Sequence, residues 1–319
     1  MSHNLDIVNG QASMFSVGET PWHRLGKVVS EAPTAAEAIE LAGLNWKVNV
    51  EATQTMDNVV IDGVKITRRS TDGKVLGVVG NRYRPLQNHE AFSFFDPFVE
   101  AGEASYETAG ALAGGSKVWV LAKLNRNPLL IGTQDKINKY VLLSNSHNGK
   151  VATQVGFTGT RVVCQNTLNM ALSKGASKLL RVRHNSKIIQ NLNDIRTTMN
   201  MIDAEFEATG AMFNQMAGKG ISKADLEKYV KVLFEKDGGE GGGRAVAKVM
   251  QLAETGMGAD LDSAKGTVYG AYQAVNEYLN HYQGRTEESR TDAMVYGQSG
   301  TLDQKALNLA YNYVTVGGF

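Results

Sequence analysis

A single cysteine among 319 residues, Cys164, excludes an internal disulfide and a cysteine-rich zinc site. No apolar run approaches the roughly 20 residues that a membrane-spanning helix needs. The start, MSHNLDIVNGQASMF, has neither the basic nor the apolar stretch of a secretory leader, so a cytoplasmic location is expected. No glycine loop ends in Gly-Lys-Ser/Thr, and no HExxH motif occurs. The six histidines are scattered, with His147 in a hairpin loop and His23 in an N-terminal arm, both expected at the surface. No motif for a cofactor or metal emerges, no catalytic residue is assigned, and a non-enzymatic protein is expected. The only carboxylate grouping with a lysine in the β-rich part is Asp57, Asp62, Asp72 and Lys74, and Asp62-Gly63 and Asp72-Gly73 read better as turns.

Acids are scarce in the middle of the chain. Residues 108–193 hold twelve Lys/Arg and one acid, Asp135, although the whole chain carries a net charge of only +1. Segregation of one sign points to a polyanionic partner, unless acids from other segments fold against it.

What is present supports a packed core: hydrophobic residues make up 42% and charged residues 20%. Residues 1–33 read as an N-terminal arm, irregular over the first thirty residues and extended over GETPWHRLG (18–26). Thr34 and Glu37 fit a capping box before AAEAIELAG. WKVNVEATQ (46–54), NVVIDGVKITRRS (58–70, turning at Asp62-Gly63) and GKVLGVVGNRYRPLQ (73–87) read as strands, and Asn88 as the cap of a helix. In KVWVLAKLN (117–125), Val118, Val120, Ala122 and Leu124 alternate with Lys117, Trp119, Leu121 and Lys123, as in a sheet with one covered face. NKYVLLSNSHNGKVATQVGF (138–157) reads as a hairpin turning at Asn148-Gly149. From about 185 the pattern is helical, broken by a glycine-rich linker at 238–243. The tyrosines at 269, 272, 278 and 282 read as helix packing. The expected architecture is α+β: an antiparallel β-meander with packed helices over 34–184, then a helical region over 185–319.

Over 161–172 a helical wheel puts Cys164 at the centre of the apolar arc, so it reads as a small core residue rather than a nucleophile. Arg161 in the first turn suits an anion, because free N–H groups and a guanidinium can share a phosphate. Lys117, Lys123 and Lys150 lie on the non-core parity of neighbouring strands, with Trp119 between the first two. Basic residues interleaved with an aromatic can hold phosphates and stack a base. The alternative is a Trp119 packed under a helix with lysines that snorkel past it. GNRYRPLQ (80–87) adds Arg82 and Arg84 as phosphate contacts and Tyr83 as a stacking residue.

Several ordered blocks carry a resemblance: MFSVGETPWHRLGKVV (14–29), GNRYRPLQNHEAFSFFDP (80–97), GFTGTRVVCQNTLNMAL (156–172), YGAYQAVNEYLNHYQGR (269–285) and GQSGTLDQKALNLA (297–310). Over nearly its whole length the chain resembles the phage/plasmid-like protein family defined by a domain of unknown function. That resemblance implies a phage, plasmid or other mobile element in a bacterial host and supplies no catalytic residues. In element order and charge the β-meander with flanking helices is similar to the core of phage single-strand annealing proteins of the Red-beta and Erf type. Those form rings or filaments around single-stranded DNA.

The function expected is a single-stranded DNA- or RNA-binding protein that assembles into a homo-oligomeric ring or filament and promotes strand annealing in recombination. Its expected contacts are Arg82, Tyr83, Arg84, Lys117, Trp119, Lys123, Lys150 and Arg161. Two other classes stand beside it: a protein-binding module that inhibits or diverts a host defence or recombination protein, and a metal-dependent nuclease.

Overall fold

The structure is a computed structural model that describes residues 4–21, 23–125, 128–132, 135–159, 179–234, 242–283 and 298–318. It divides into two compact units. One comprises Met1–Arg126, Lys139–Leu168 and Lys178–Asp203; the other comprises Asn127–Asn138, Asn169–Ser177 and Ala204–Phe319. The expected α+β class holds, with antiparallel sheets in the N-terminal half and helices gathered toward the C-terminus. No helix among the described residues is long and apolar enough to cross a membrane.

The first unit opens with β1 (Ile7–Val8), β2 (Gln11–Ala12), β3 (Met14–Val17) and β4 (Lys27–Val29), so the arm is partly strand. Then come α1 (Ala35–Leu41), β5 (Val48–Gln54), β6 (Val60–Arg69), β7 (Val75–Gly80), α2 (Asn88–Ser93), α3 (Asp96–Glu100), β8 (Ala104–Leu112) and β9 (Lys117–Leu124). After a hairpin of β10 (Leu129–Ile131) and β11 (Asp135–Ile137), which belongs to the second unit, β12 (Tyr140–Ser146), β13 (Thr153–Thr158) and β14 (Leu180–Val182) complete the sheet. Seven strands run in the order β14-β13-β12-β9-β8-β3-β4, and β5-β6-β7 form a separate antiparallel sheet.

Local chemistry explains the element ends. The Thr34 hydroxyl accepts the Glu37 N–H at 3.4 Å, and the Glu37 carboxylate accepts the Thr34 N–H at 2.8 Å, as the capping box predicts. Two expectations need correction. Asp62-Gly63 is not a hairpin turn: β6 runs straight through it, with Gly63 at φ +80° beside a register shift at Ala52/Thr53. A glycine in the left-handed region takes up the extra residue of a bulge, and the chain turns earlier, where Thr55 N–H donates to Val59 C=O. Asn88 does not cap α2. The residue at the cap is Gln87, whose N–H donates to the Glu90 carboxylate at 2.8 Å; Asn88 is buried and bonds elsewhere.

The expectation of one covered face on β9 is also corrected. Val118 and Val120 are buried on one side and Trp119 and Leu121 on the other. Where both alternating sets are apolar in mid-strand, both faces leave water. Helices α2 and α3 pack on β9 and β8, and the Tyr106 hydroxyl donates to Phe92 C=O at 3.0 Å. A buried ion pair ties the arm to the small sheet: Arg69 Nη1 meets Asp6 Oδ2 at 2.6 Å, and the Arg69 guanidinium lies 5.2 Å from the Trp46 ring centroid.

The second unit is helical. It contains α5 (Lys223–Phe234), α6 (Gly243–Thr255), α7 (Val268–Glu277), α8 (Gln298–Val316) and the later part of α4 (Ile188–Ala217). Its core includes Phe213, Met216, Tyr229, Val249, Tyr269, Tyr272 and Leu279. Tyr269 and Tyr272 pack against Phe213, as expected of helix-packing residues, whereas Tyr282 is exposed. Ser222 caps α5 by accepting the Asp225 N–H at 3.1 Å, and Thr267 caps α7 by accepting the Gly270 N–H at 3.1 Å. Most of the expected linker at 238–243 lies outside the described residues; Gly243 opens α6.

Candidate nucleic-acid interface

Register fixes which side chains meet at one end of the seven-stranded sheet. Ser146 at the end of β12 pairs with Lys117 at the start of β9, and Thr153 at the start of β13 pairs with Val182 at the end of β14. The 147–152 turn, Lys117 and the segment after Val182 therefore lie at the same end. The loop after β7 joins them: the Tyr83 hydroxyl donates to Ser146 C=O at 2.9 Å, and Arg84 N–H donates to His184 C=O at 3.3 Å. The Tyr83 and His184 rings stack with centroids 4.8 Å apart and planes at 23°.

The turn itself is anchored from below. His147 is fully buried, contrary to the expectation of a surface loop histidine. Its Nε2 lies 3.0 Å from Asn88 Oδ1. Asn88 Nδ2 already donates to Leu44 C=O at 2.9 Å, so Oδ1 is the acceptor and His147 carries its proton on Nε2. Its backbone is held as well: His147 N–H donates to Ser116 C=O, and its own C=O accepts the Thr67 hydroxyl at 2.7 Å. The ring packs edge-on against Trp46 at 5.4 Å. Burial, and then the neighbouring His184, push its pKa down to about 3, so it is neutral at pH 7. Gly77 of β7 lies against Asn148, where any Cβ would overlap the Asn148 backbone.

Around this anchor the cations stand outward. Arg82, Arg84, Lys150, Arg181, Arg183 and Lys187 are all exposed. None of the six forms an ion pair with another described residue, whereas Arg68, Arg69, Lys74, Lys223 and Lys231 do. Arg181 sits opposite Gln154 on the edge strand β14. Tyr83 is held by its stack and its hydrogen bond, and burial keeps its hydroxyl pKa well above the ordinary value.

Of the eight contacts read from the sequence, Arg82, Tyr83, Arg84 and Lys150 come together here. Lys117 lies at the same end but is half-buried and engaged. Lys123 lies six residues further along β9, roughly 20 Å away. Trp119 is fully buried; its Nε1–H donates to Thr108 Oγ1 at 3.1 Å, and its ring lies over Gly110. It has no face left for a base, so its stacking role is withdrawn. Arg161 and Cys164 lie outside the described residues. Sequence reasoning missed Arg181, Arg183, Lys187 and the His147–His184 pair as site residues. The alternation in LRVRH (180–184), which sets two arginines on one side of a strand, was the available signal.

The carboxylate grouping does not gather. Asp72 pairs with Arg69, Lys74 approaches Asp6, and among the described residues no three His, Cys, Asp or Glu side chains cluster for a metal.

The family model described as a domain of unknown function, DUF932, matches residues 75–296. The chain belongs to the DUF932 family. All six exposed cations, and the three segments that carry them, fall within the DUF932 match. No curated protein and no solved structure matches the chain.

Proposed function

We propose that this DUF932 protein binds single-stranded nucleic acid at the turn end of its sheet, as a phage or mobile-element protein that promotes strand annealing. The observation that carries the reading is the set of six exposed cations without ion-pair partners among the described residues, set on three segments that Tyr83, His184 and His147 tie together. Unpaired guanidinium and ammonium groups on a rigid frame suit a row of phosphates. With Trp119 buried and Tyr83 engaged, the contacts favour the backbone over the bases, so binding is nearly blind to sequence. Annealing brings two strands together and favours a ring or filament of copies.

A second reading, a module that docks on a host defence or recombination protein, draws support from the small sheet. Val60, Ile61, Val75 and Val78 are exposed there, with Val59 just before β6, and exposed apolar side chains of this kind suit a protein partner.

Fluorescence anisotropy with labelled single-stranded, double-stranded and RNA oligonucleotides at low salt, with particle imaging of the same mixtures, tests the first reading. Single-strand binding with ring or filament formation supports it. Binding without assembly removes annealing, and no binding to any of the three leaves the protein-docking reading.

A further inference from the structure

His184 follows Arg183 in the segment after β14, and both of its ring nitrogens are buried without a well-aligned hydrogen bond. That is unusual, since buried polar atoms are almost always paired. The ring is positioned by its stack on Tyr83; Arg84 N–H donates to His184 C=O, and the antiparallel Thr153–Val182 pair sets residue 151 opposite residue 184, so the backbones of Arg84 and Val151 lie beside His184, where they favour a proton on its ring. A neutral imidazole has one N–H to offer two backbone acceptors; an imidazolium has two.

The segments that meet at this end of the sheet bring their own charged and titratable groups. The loop after β7 brings Arg82, Tyr83 and Arg84; the β12–β13 turn brings His147 and Lys150; the segment after β14 brings Arg183 and Lys187. All are cationic or neutral, and among the described residues no carboxylate lends His184 a counter-charge. Burial is the largest effect and holds the free ring below its ordinary pKa. The site thus has the acceptors for a protonated ring and lacks the negative charge that would stabilise it.

We propose that His184 links the proposed anion site to protons: a phosphate group among Arg84, Lys150 and Arg183 supplies the missing negative charge, and His184 takes up one proton from solvent. The protonated ring then donates to the backbones of Arg84 and Val151, clamping together the segments that carry the cations. This inference rests on the cationic surface being an anion site, and its ligand chemistry is phosphate, whether in a nucleic-acid backbone or free. The sign follows from linkage. Bound phosphate raises the pKa of His184, so affinity rises as pH falls through the interval between the bound and free values, and is flat above both. Each unit of difference between them is a tenfold change in affinity at most.

The test is a residue-resolved NMR titration of His184 in the full chain, free and saturated with a dT15 oligonucleotide or with pyrophosphate. It is paired with dT15 affinity between pH 5.5 and 8.5 for the parent and His184→Gln. The expected result is a His184 titration displaced upward by about one unit or more with ligand. The parent should bind about tenfold tighter at the acid end, and His184→Gln should bind with little pH dependence. The titration uses unsubstituted protein, so it stands even where His184→Gln fails to fold. An unmoved His184 titration under saturating ligand overturns the inference, as does a folded His184→Gln with the parent's pH dependence. If pyrophosphate moves the titration and dT15 does not bind, the proton linkage holds and the nucleic-acid reading alone falls. If neither anion binds, both fall.

Discussion

Acid should loosen the first unit through His147. The ring is fully buried, donates from Nε2 to Asn88, and has its pKa pushed down to about 3. The unfolded chain accepts a proton at this residue near the ordinary value of about 6.5. Because the folded value is depressed, the stability contributed by the neutral ring is fully present above pH 6.5 and is lost as pH falls toward 3. In that window the unfolded state binds one more proton than the folded state, a slope of about 1.4 kcal/mol per pH unit. From pH 6.5 to 4.5 the loss is about 2 kcal/mol, and down to pH 3 about 4 kcal/mol. His147→Gln removes the titration and keeps an amide donor for Asn88 Oδ1. Urea unfolding of both proteins at pH 7 and pH 4.5 isolates the effect, because carboxylates titrate alike in the two and cancel in the difference. The parent should lose about 2 kcal/mol more than the variant over that interval. Equal losses would refute the reasoning, since they would mean that His147 is either solvated or already paired when protonated.

Three further outcomes are expected. Trp119→Ala should lower stability by about 3–5 kcal/mol, from lost burial and the cavity over Gly110, while folded protein keeps the parent's salt dependence of binding; thermal melting and anisotropy check both. Asp6→Asn leaves the buried Arg69 guanidinium without its closest counter-charge and should cost about 3–5 kcal/mol, measured by urea unfolding. Gly77→Ala should destabilise measurably in the same assay, because the added methyl meets the Asn148 backbone rather than a side chain that can swing away.

The fold class was readable because local signals and burial agree. The Thr34–Glu37 box, the Asn148-Gly149 turn and the alternation along β9 each name their element without outside help. Failures came where one local pattern has two physical solutions. Asp-Gly serves a hairpin or a bulge, and register across β5 and β6 decides between them. A Trp between two lysines serves a stacking face or a second buried face, and only the other elements packed on the sheet decide. His147 looked like a loop residue because it is one; Asn88, Thr67 and Ser116, distant in sequence, enclose it. The cationic surface was half legible for the same reason. Arg82, Arg84 and Lys150 could be named from their own segments, but their meeting with Arg183 depends on the β13–β14 pairing and the Tyr83–His184 stack.

The salt dependence of single-strand binding tests the proposed function most directly. Each phosphate neutralised on a single strand contributes about 0.7 to the slope of log affinity against log salt. Arg84, Lys150 and Arg183 are exposed and lie at one end of the sheet without ion-pair partners among the described residues, so their joint replacement by Ala should leave the melting temperature nearly unchanged. Measured by anisotropy on a dT oligonucleotide between about 50 and 200 mM salt, the triple variant should bind more weakly, with a slope flatter than the parent's by about 2. A folded triple variant that binds with the parent's affinity and slope would contradict the assignment of this surface as the nucleic-acid site.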